Sequence, residues 1–223
     1  MASKLLFPCQ IWKNCFMIHL QASLLLSGMN GRSTKFYPTH SSELVRLAAL
    51  YKYGGVYLDS DIIVLNPLSS LNNSVGLEDV PTGSPLNGAV MAFRKHSPFL
   101  MECLSEFYST YDENLLRWNG ADLLTRVAGI FSSKGNYLSK EKELKIQRPF
   151  IFFPINSHDI LRYFTAPATE SERTGEDVLF RKILNESYTF HFWNSLTWAL
   201  VPEPNSLVAR LINHYCIQCS DVL

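Results

Sequence analysis

The pattern of apolar and polar positions predicts helices and strands that alternate along the chain. Apolar residues that recur every three or four positions predict helices over 42–53, 98–111, 120–131 and 207–215. Short apolar runs predict strands near 56–58, 62–65, 88–93, 150–153 and 188–192. The polar stretches 131–147 and 165–177 are predicted to be solvated loops. This order of elements is typical of the α/β fold class.

The first predicted helix combines an apolar stripe with a charged pair. Ser41 or Ser42 is expected to cap its start, and Gly54-Gly55 is expected to end it, because glycine tolerates the positive φ of a helix C-terminal cap. Its stripe consists of Leu44, Leu47, Ala48 and Tyr51. Glu43 and Arg46 lie three residues apart, so they can pair with each other or face a ligand together. Spacing alone favours a surface salt bridge.

Two acidic residues follow the Gly-Gly turn, between the apolar runs 56–58 and 62–65. In an extended chain, residues i and i+2 point to the same face roughly 7 Å apart, so Asp59 and Asp61 could bind one divalent cation. Without a cation, the two carboxylates would repel each other and lose solvation. Oxygen ligands favour Mn²⁺ or Mg²⁺ over Zn²⁺. The alternative interpretation is an exposed Asp-Ser-Asp turn.

Composition limits the possible classes of function. The chain has 223 residues, of which 47% are hydrophobic and 18% charged, enough for a sizeable core in one domain. The formal net charge is zero and no Lys/Arg block occurs, which argues against a nucleic-acid partner. The most apolar segment contains Lys13 and other polar residues, so no membrane span is predicted. Among five cysteines, Cys103 is expected in the core, and Cys216 and Cys219 could form a disulfide in an oxidising lumen.

Several sequence blocks together resemble a known family. Residues 42–46 (SELVR) and 50–61 (LYKYGGVYLDSD) are similar to the DXD region of the α-1,4-glycosyltransferases. The later blocks LNGAVMAF, LLTRV, FPI and HFWN, at 86–93, 123–127, 153–155 and 191–194, resemble that family in the same order. The similarity covers about residues 36–219 and is greatest to plant members, which share the ending CxxCSDVL.

The resemblance implies a GT-A fold, a Rossmann-like domain that binds a nucleotide sugar. In this family the DXD motif holds Mn²⁺, with Mg²⁺ also possible, against the diphosphate of a UDP-sugar. The resemblance therefore implies that Asp59 and Asp61 form the metal and donor site. His191 corresponds to a residue that approaches the metal or the diphosphate, although a histidine among aromatic residues is also typical of a core.

Further donor and catalytic residues follow only from the resemblance. Glu43 and Arg46 take the places of an Asp and an Arg that contact the donor sugar, and Asn87-Gly88 lies in a donor-binding block. Asn119 is expected near the anomeric carbon, and Asp122 could be a catalytic carboxylate. From the residues alone, Asn119 also suits a helix N-cap, and Asp122 suits the favourable position of a negative charge at a helix N-terminus.

The chain departs from the family pattern at two places. Arg117-Trp118 replaces a Gly-His pair before Asn119, and Ser195 replaces a lysine after the HFWN block. Any phosphate contact from that lysine is therefore absent.

The resemblance also suggests a domain organisation. Residues 1–35 are assigned to an atypical leader, 36–219 to the GT-A-like domain and 220–223 to a tail. Within the domain, the DXD region covers about 36–130 and the C-terminal family region about 131–219. The family's anchor and first nucleotide-binding strand are expected upstream of the matched region, so the chain is interpreted as N-terminally truncated.

The predicted function is a retaining glycosyltransferase in the Golgi lumen. It would transfer a hexose or N-acetylhexosamine from a UDP-sugar to a glycan or glycolipid. The alternative is a catalytically weak remnant of such an enzyme that binds sugar or a partner.

Overall fold

The computed structural model describes residues 35–79, 85–133 and 143–214. Its helices are α1 (Tyr37–Tyr53), α2 (Pro98–Thr110), α3 (Ala121–Ser133), α4 (Pro149–Phe152), α5 (Glu170–Glu186), α6 (Asn194–Thr197) and α7 (Leu207–His214). Its strands are β1 (Gly55–Leu58), β2 (Ile62–Val64), β3 (Ser74–Leu77), β4 (Leu86–Phe93), β5 (Lys145–Gln147) and β6 (Thr189–His191). Short 3-10 helices cover Leu68–Ser70 and Ile160–Phe164. These elements confirm the predicted α/β class.

The strands form two sheets. The larger sheet has the strand order β1-β4-β3-β5. The smaller one pairs β2 with β6 in antiparallel register, with Ile62 opposite His191 and Val64 opposite Thr189. This register decides which residues come together next to the DXD motif.

The chain divides into two compact units, and the first comprises residues 1–57, 72–74 and 86–145. In its described part, α1 packs against α2 and β4, and α3 packs against α2 and β4. Leu44, Leu47 and Leu50 of α1 are buried there, as the helical stripe predicts. Phe99 and Phe107 of α2 are fully buried.

The second unit comprises residues 58–71, 75–85 and 146–223. Within its described part, α4 packs against β6 and α5, and α7 packs against α5 and the 3-10 helix Ile160–Phe164. Its buried aromatic and aliphatic residues include Phe152, Phe190, Ile183 and Leu211. This core holds β6, and with it His191, in place.

Most predicted elements are confirmed within two residues of their bounds. Helices α2 and α3, the strands β1, β2, β4 and β6, and the final helix α7 all lie where the apolar pattern places them. Gly54 ends α1 with φ +68°, and its N–H donates to the Leu50 carbonyl at 2.8 Å. Cys103 is buried, as expected.

The predicted start of α1 is wrong. The helix begins at Tyr37, with Pro38 in its first turn, so Ser41 and Ser42 lie inside it and do not cap it. Proline favours this position because its fixed φ is already helical and the first turn needs no N–H donor. The Ser42 hydroxyl donates instead to the Thr39 carbonyl at 2.8 Å.

Two other predicted elements are wrong. Residues 149–152 form the short helix α4 instead of a strand, with Pro149 at its first position. Most of the predicted loop 165–177 belongs to α5, which Thr169 and Glu172 start with a capping box. In the predicted loop 131–147, the first three residues belong to α3 and the last three to β5. Its interior, 134–142, lies outside the described residues.

Some predictions fall outside the described residues. These are the leader, except for Lys35, the tail, and the Cys216–Cys219 disulfide. In the part of the chain that is described, no helix combines the length and the apolar character needed to cross a membrane.

Candidate functional site

The two DXD carboxylates and His191 come together in the second unit. Asp59 and Asp61 lie in a turn between β1 and β2, which differs from the extended chain of the prediction. Because Ile62 pairs with His191, the antiparallel register brings the imidazole beside Asp61. One ligand atom from each of Asp59, Asp61 and His191 lies within 4.8 Å of the other two. Ser60 between the carboxylates is exposed.

Asp61 is fixed by two donors. The Nε2 atom of His191 lies 3.2 Å from its Oδ2 atom, and the N–H of Asn194 donates to the same oxygen at 2.8 Å. Burial alone would raise the pKa of the Asp61 carboxyl, but the contacts with His191 and Asn194 outweigh it, so the pKa lies below its ordinary value. Asp61 is therefore ionised at neutral pH, as a metal ligand must be.

His191 is both a core residue and a member of the acidic cluster. It is 7% exposed and packs against the rings of Phe153 and Trp193, with ring centroids 5.7 and 4.2 Å away. The Trp193 indole donates to the Ile155 carbonyl at 2.9 Å, which holds this packing. The Nδ1 atom of His191 is buried without a hydrogen-bond partner in the described structure.

The three side chains fit a divalent cation. Two carboxylates and one imidazole suit Mn²⁺ well, and Mg²⁺ accepts the carboxylates. The cluster lacks thiolate ligands, which disfavours a structural zinc site. In the absence of a cation, the Asp59 carboxylate would add repulsion beside the Asp61 carboxylate.

Glu43 and Arg46 form an ion pair in the first unit, with 3.4 Å between Arg46 Nε and Glu43 Oε2. The pair is not at the surface, which corrects the interpretation from spacing: the side chains are only 6% and 16% exposed for Arg46 and Glu43. The Arg46 guanidinium also lies over the Tyr57 ring, 4.7 Å from its centroid. A buried, oriented guanidinium is suited to bind a polar ligand through its planar fork.

Two glycines leave room for this pair. A Cβ atom on Gly88 would lie 2.7 Å from Arg46 Nη1, and one on Gly120 would lie 2.6 Å from Glu43 Oε1. Both distances are shorter than side-chain contacts allow. The structure therefore gives Gly88, predicted to bind donor, a second role in which it admits the Arg46 side chain.

We expect Gly88→Ala to displace the Arg46 guanidinium. The added methyl group would also lie 3.3 Å from Leu124 Cδ1, so overpacking should lower the free energy of unfolding by about 1–3 kcal/mol. Urea unfolding measures this change. The matched control is Gly129→Ala, because a methyl group added at Gly129 in α3 would meet no atom within 4 Å, and alanine should stabilise that helix by about 0.5–1 kcal/mol. Equal effects of the two substitutions would contradict the close contact.

Asn119 does not use its side chain as the predicted N-cap. Its Oδ1 accepts the Asp112 N–H at 3.1 Å, and its Nδ2 donates to the Asp112 carbonyl at 2.6 Å. Nδ2 also lies 3.2 Å from His40 Nε2, while His40 Nδ1 is 3.2 Å from the Tyr111 hydroxyl. The network fixes the segment before Gly120 in the first unit.

Sequence reasoning missed His40, which is completely buried. Its position four residues before Leu44 places it on the apolar stripe of α1, and that spacing is the signal that could have found it. Burial lowers the pKa of His40 more than the nearby backbone groups and Asp112 raise it. In the folded chain the imidazole therefore stays neutral to a lower pH than in the unfolded chain.

This lowered pKa predicts a pH-dependent stability. Below the unfolded pKa of about 6.5, the unfolded chain binds a proton that folded His40 resists, so stability should fall as the pH drops from about 6.5 toward the lower folded pKa. His40→Gln removes this titration and can keep hydrogen bonds to Tyr111 and Asn119. Melting temperatures at pH 7.5 and 5.5 should differ less in the variant than in the wild type. An identical pH dependence would assign the effect to other groups.

The remaining predicted residues have local partners. Asp122 lies in the first turn of α3 with its Oδ1 3.6 Å from Arg117 Nε, and both side chains are about half exposed. This agrees with the helix N-terminal position expected from the sequence. Asn87 accepts the Ala89 N–H at 2.7 Å. The catalytic and donor-binding roles of these residues remain predictions.

Comparison with known proteins connects this geometry to a family. The model of the alpha 1,4-glycosyltransferase conserved region matches residues 92–223. The model of the glycosyltransferase sugar-binding region containing the DXD motif matches residues 12–80. The second match contains Asp59 and Asp61, and the first contains His191.

Relatives in plants and animals extend the similarity. A protein of Arabidopsis thaliana described as uncharacterized is 64% identical over 192 residues, which cover 86% of this chain and 30% of that protein. The lactosylceramide 4-alpha-galactosyltransferase of Mus musculus is 33% identical over 182 residues, covering 78% of this chain and 47% of the mouse protein. The alpha-1,4-N-acetylglucosaminyltransferase of Homo sapiens is 30% identical over 183 residues, covering 79% and 49%.

The chain thus spans less than half the length of each of these relatives. The conserved-region model nevertheless covers more than half of this chain, and the DXD-region model covers the motif that precedes it. The chain belongs to the alpha 1,4-glycosyltransferase family and carries its DXD sugar-binding region.

Proposed function

We propose that this chain is a retaining glycosyltransferase that moves a hexose or an N-acetylhexosamine from a UDP-sugar to a glycan or glycolipid acceptor in the Golgi lumen. The observation that carries the proposal is the Asp59-Asp61-His191 cluster in a member of this family. The mouse and human relatives, named as a galactosyltransferase and an N-acetylglucosaminyltransferase, support the two donor classes.

In this proposal the second unit supplies the metal site. Asp59, Asp61 and His191 would hold Mn²⁺ or Mg²⁺, which would supply Lewis-acid neutralisation of the negative charge on a departing diphosphate. The Asn194 N–H keeps the Asp61 carboxylate oriented and favours its ionised form through the hydrogen bond described above. A hydrogen bond of this kind behind a metal ligand keeps the ligand aimed at its site.

The first unit supplies side chains for the donor sugar. Glu43 and Arg46 offer a carboxylate and a guanidinium that are already fixed by their ion pair, which reduces the entropy lost on binding a sugar. Gly88 and Gly120 keep the space that this orientation needs. Asn119 and Asp122 are assigned here to the neighbourhood of the anomeric carbon by family resemblance.

A cavity in the first unit suits the uridine part of the donor. Its volume is about 400 Å³, and its lining is mostly apolar. The lining residues are Tyr37, Pro38, Ser41, Ser42, Val45 and Tyr57. The buried Ser41 Oγ has no hydrogen-bond partner in the described structure. Aromatic walls with a few polar groups are typical of sites for small planar ligands.

UDP release tests the proposal directly. The folded chain is incubated with UDP-galactose or UDP-N-acetylglucosamine, in Mn²⁺, in Mg²⁺ or in EDTA. We expect UDP to be released from at least one donor in the presence of metal and not in EDTA. Metal-independent release would contradict the proposed site. A folded chain that binds glycans but releases no UDP would support the alternative, a sugar-binding remnant.

A further inference from the structure

A large aromatic side chain is exposed directly after the metal cluster. Trp198 follows the short helix α6 and is 77% exposed. Leu196, Leu200 and Val201 around it are also exposed. A tryptophan so accessible leaves a large apolar surface in water, and such a surface in a folded protein often marks a place where a ligand or partner binds.

Hydrogen bonds hold the segment that carries this indole. Thr197 is buried, and its hydroxyl donates to the Phe192 carbonyl at 2.8 Å. The Trp198 N–H donates to the Asn194 carbonyl at 3.0 Å, and the Leu200 N–H donates to the Thr197 carbonyl at 2.8 Å. Trp198 is thus exposed on a turn that hydrogen bonds hold in place, next to the buried Thr197.

The same turn reaches the metal cluster. Asn194 begins α6, and its N–H donates to Asp61 Oδ2 at 2.8 Å. Its carbonyl accepts from the N–H of Trp198. Trp198 therefore lies about one helical turn, or 5–6 Å along the helix axis, from Asn194, the residue that orients Asp61. All of these residues belong to the second unit.

We propose that the indole of Trp198 stacks on a pyranose ring of the acceptor glycan. This inference rests on the proposed function, because an acceptor must approach the donor sugar whose diphosphate the metal site would hold. One face of a pyranose ring presents C–H groups, and a flat indole offers them an apolar surface of matching size with a polar N–H at its edge. Trp198 would thereby contribute to the choice of acceptor.

Charge and area disfavour other occupants. Residues 194–202 contain no Lys or Arg, and Glu203 follows them, so the segment lacks the basic residues that attract anionic lipid headgroups. Four exposed side chains are also far fewer than the roughly 20–30 residues that each partner contributes to a stable protein interface. A single sugar ring needs only the area of one aromatic face.

The test compares Trp198→Ala, Trp198→Phe and the control Val178→Ala. Val178 is an exposed apolar residue of α5 in the same unit, 61% accessible to solvent. Each protein is applied to a panel of immobilised neutral oligosaccharides in the presence of UDP and Mn²⁺, and the KM for any bound glycan is measured as an acceptor. UDP release without acceptor is measured on the same samples to report on the donor site.

We expect Trp198→Ala to lose about tenfold or more in glycan affinity, because it removes the whole aromatic face. Trp198→Phe should keep most of the affinity, and Val178→Ala should match the wild type. The proposal is overturned if the wild type binds no glycan, or if Trp198→Ala binds them as the wild type does. It is also overturned if Trp198→Ala loses binding to phosphatidylcholine vesicles while its glycan binding is unchanged.

The donor measurement separates this proposal from the proposed function. If the wild type releases no UDP, the proposed function fails, whatever Trp198 does. If the wild type releases UDP and Trp198→Ala loses that release together with Mn²⁺ binding, the side chain acts on the donor site, and the acceptor assignment is wrong.

Discussion

Asp61→Asn is expected to reduce metal-dependent UDP release by about 10³-fold, comparable to the loss of a single preorganised electrostatic group in other enzymes. The substitution removes one negative charge and weakens the ligand, because a neutral amide oxygen binds a hard cation less well than a carboxylate does. Asparagine has nearly the same shape, and its oxygen can still accept the Asn194 N–H that Asp61 accepts at 2.8 Å. The reduced UDP release should therefore come from the weaker metal ligand and not from a change in the shape of the side chain.

Matched controls make this prediction decisive. Asp59→Asn should behave similarly, because Asp59 offers the second carboxylate of the cluster. Glu170→Gln removes an acidic residue whose side chain is 87% exposed at the start of α5, and it should leave UDP release unchanged. Calorimetry should show Mn²⁺ binding to the wild type and to Glu170→Gln, and much weaker binding to Asp61→Asn. Unchanged UDP release in Asp61→Asn would exclude the carboxylate as a metal ligand.

Local sequence signals were sufficient for part of the site. Asp59 and Asp61 stand out because charged residues interrupt two apolar strands, and Gly54 marks the end of α1 because the chain needs positive φ there. Both signals depend on residues close in sequence. The convergence of the two carboxylates could therefore be predicted, although the turn that achieves it could not.

The position of His191 depends on pairing across the chain. Ile62 and His191 are far apart in sequence, and only the antiparallel register of β2 and β6 brings the imidazole to Asp61. A short apolar run can predict that each strand exists but not which strand it pairs with. Resemblance to the family supplied the candidate, and the register explains how it reaches the cluster.

The sequence pattern also does not predict which polar residues are buried. Glu43 and Arg46 have the spacing of an ordinary surface pair, and the polarity of His40 does not mark it as a core residue. The packing of α1 nevertheless buries His40 and Arg46 and leaves only 16% of the Glu43 side chain exposed. Periodicity identifies the apolar face of a helix, but neighbouring elements decide how much of its polar edge they cover. The same limit applies to α4, since a short apolar aromatic run fits either a buried strand or a buried helix.

Breaking the Glu43-Arg46 pair on one side is expected to destabilise the fold by about 3 kcal/mol. Glu43→Leu would leave the guanidinium of Arg46, only 6% exposed, without the carboxylate that lies 3.4 Å from it. Arg46→Met would leave Glu43 in the converse position. The double variant should recover most of the lost stability, because apolar residues of similar volume can replace a buried pair at little cost. Urea unfolding of the four proteins provides the double-mutant cycle.

Activity in this cycle separates packing from sugar binding. If Glu43 and Arg46 orient the donor sugar, the double variant should be stable yet slower in UDP release by about 10²-fold, the scale of losses that misplacement of a substrate causes. A stable double variant with wild-type UDP release would limit the pair to a structural role. The control is Asp177→Asn, which breaks a more exposed ion pair with Arg210 at 2.8 Å and should cost at most about 1 kcal/mol without loss of activity. A double variant that is stable but slow would assign the pair to ligand binding, because stability alone would not require two buried charges.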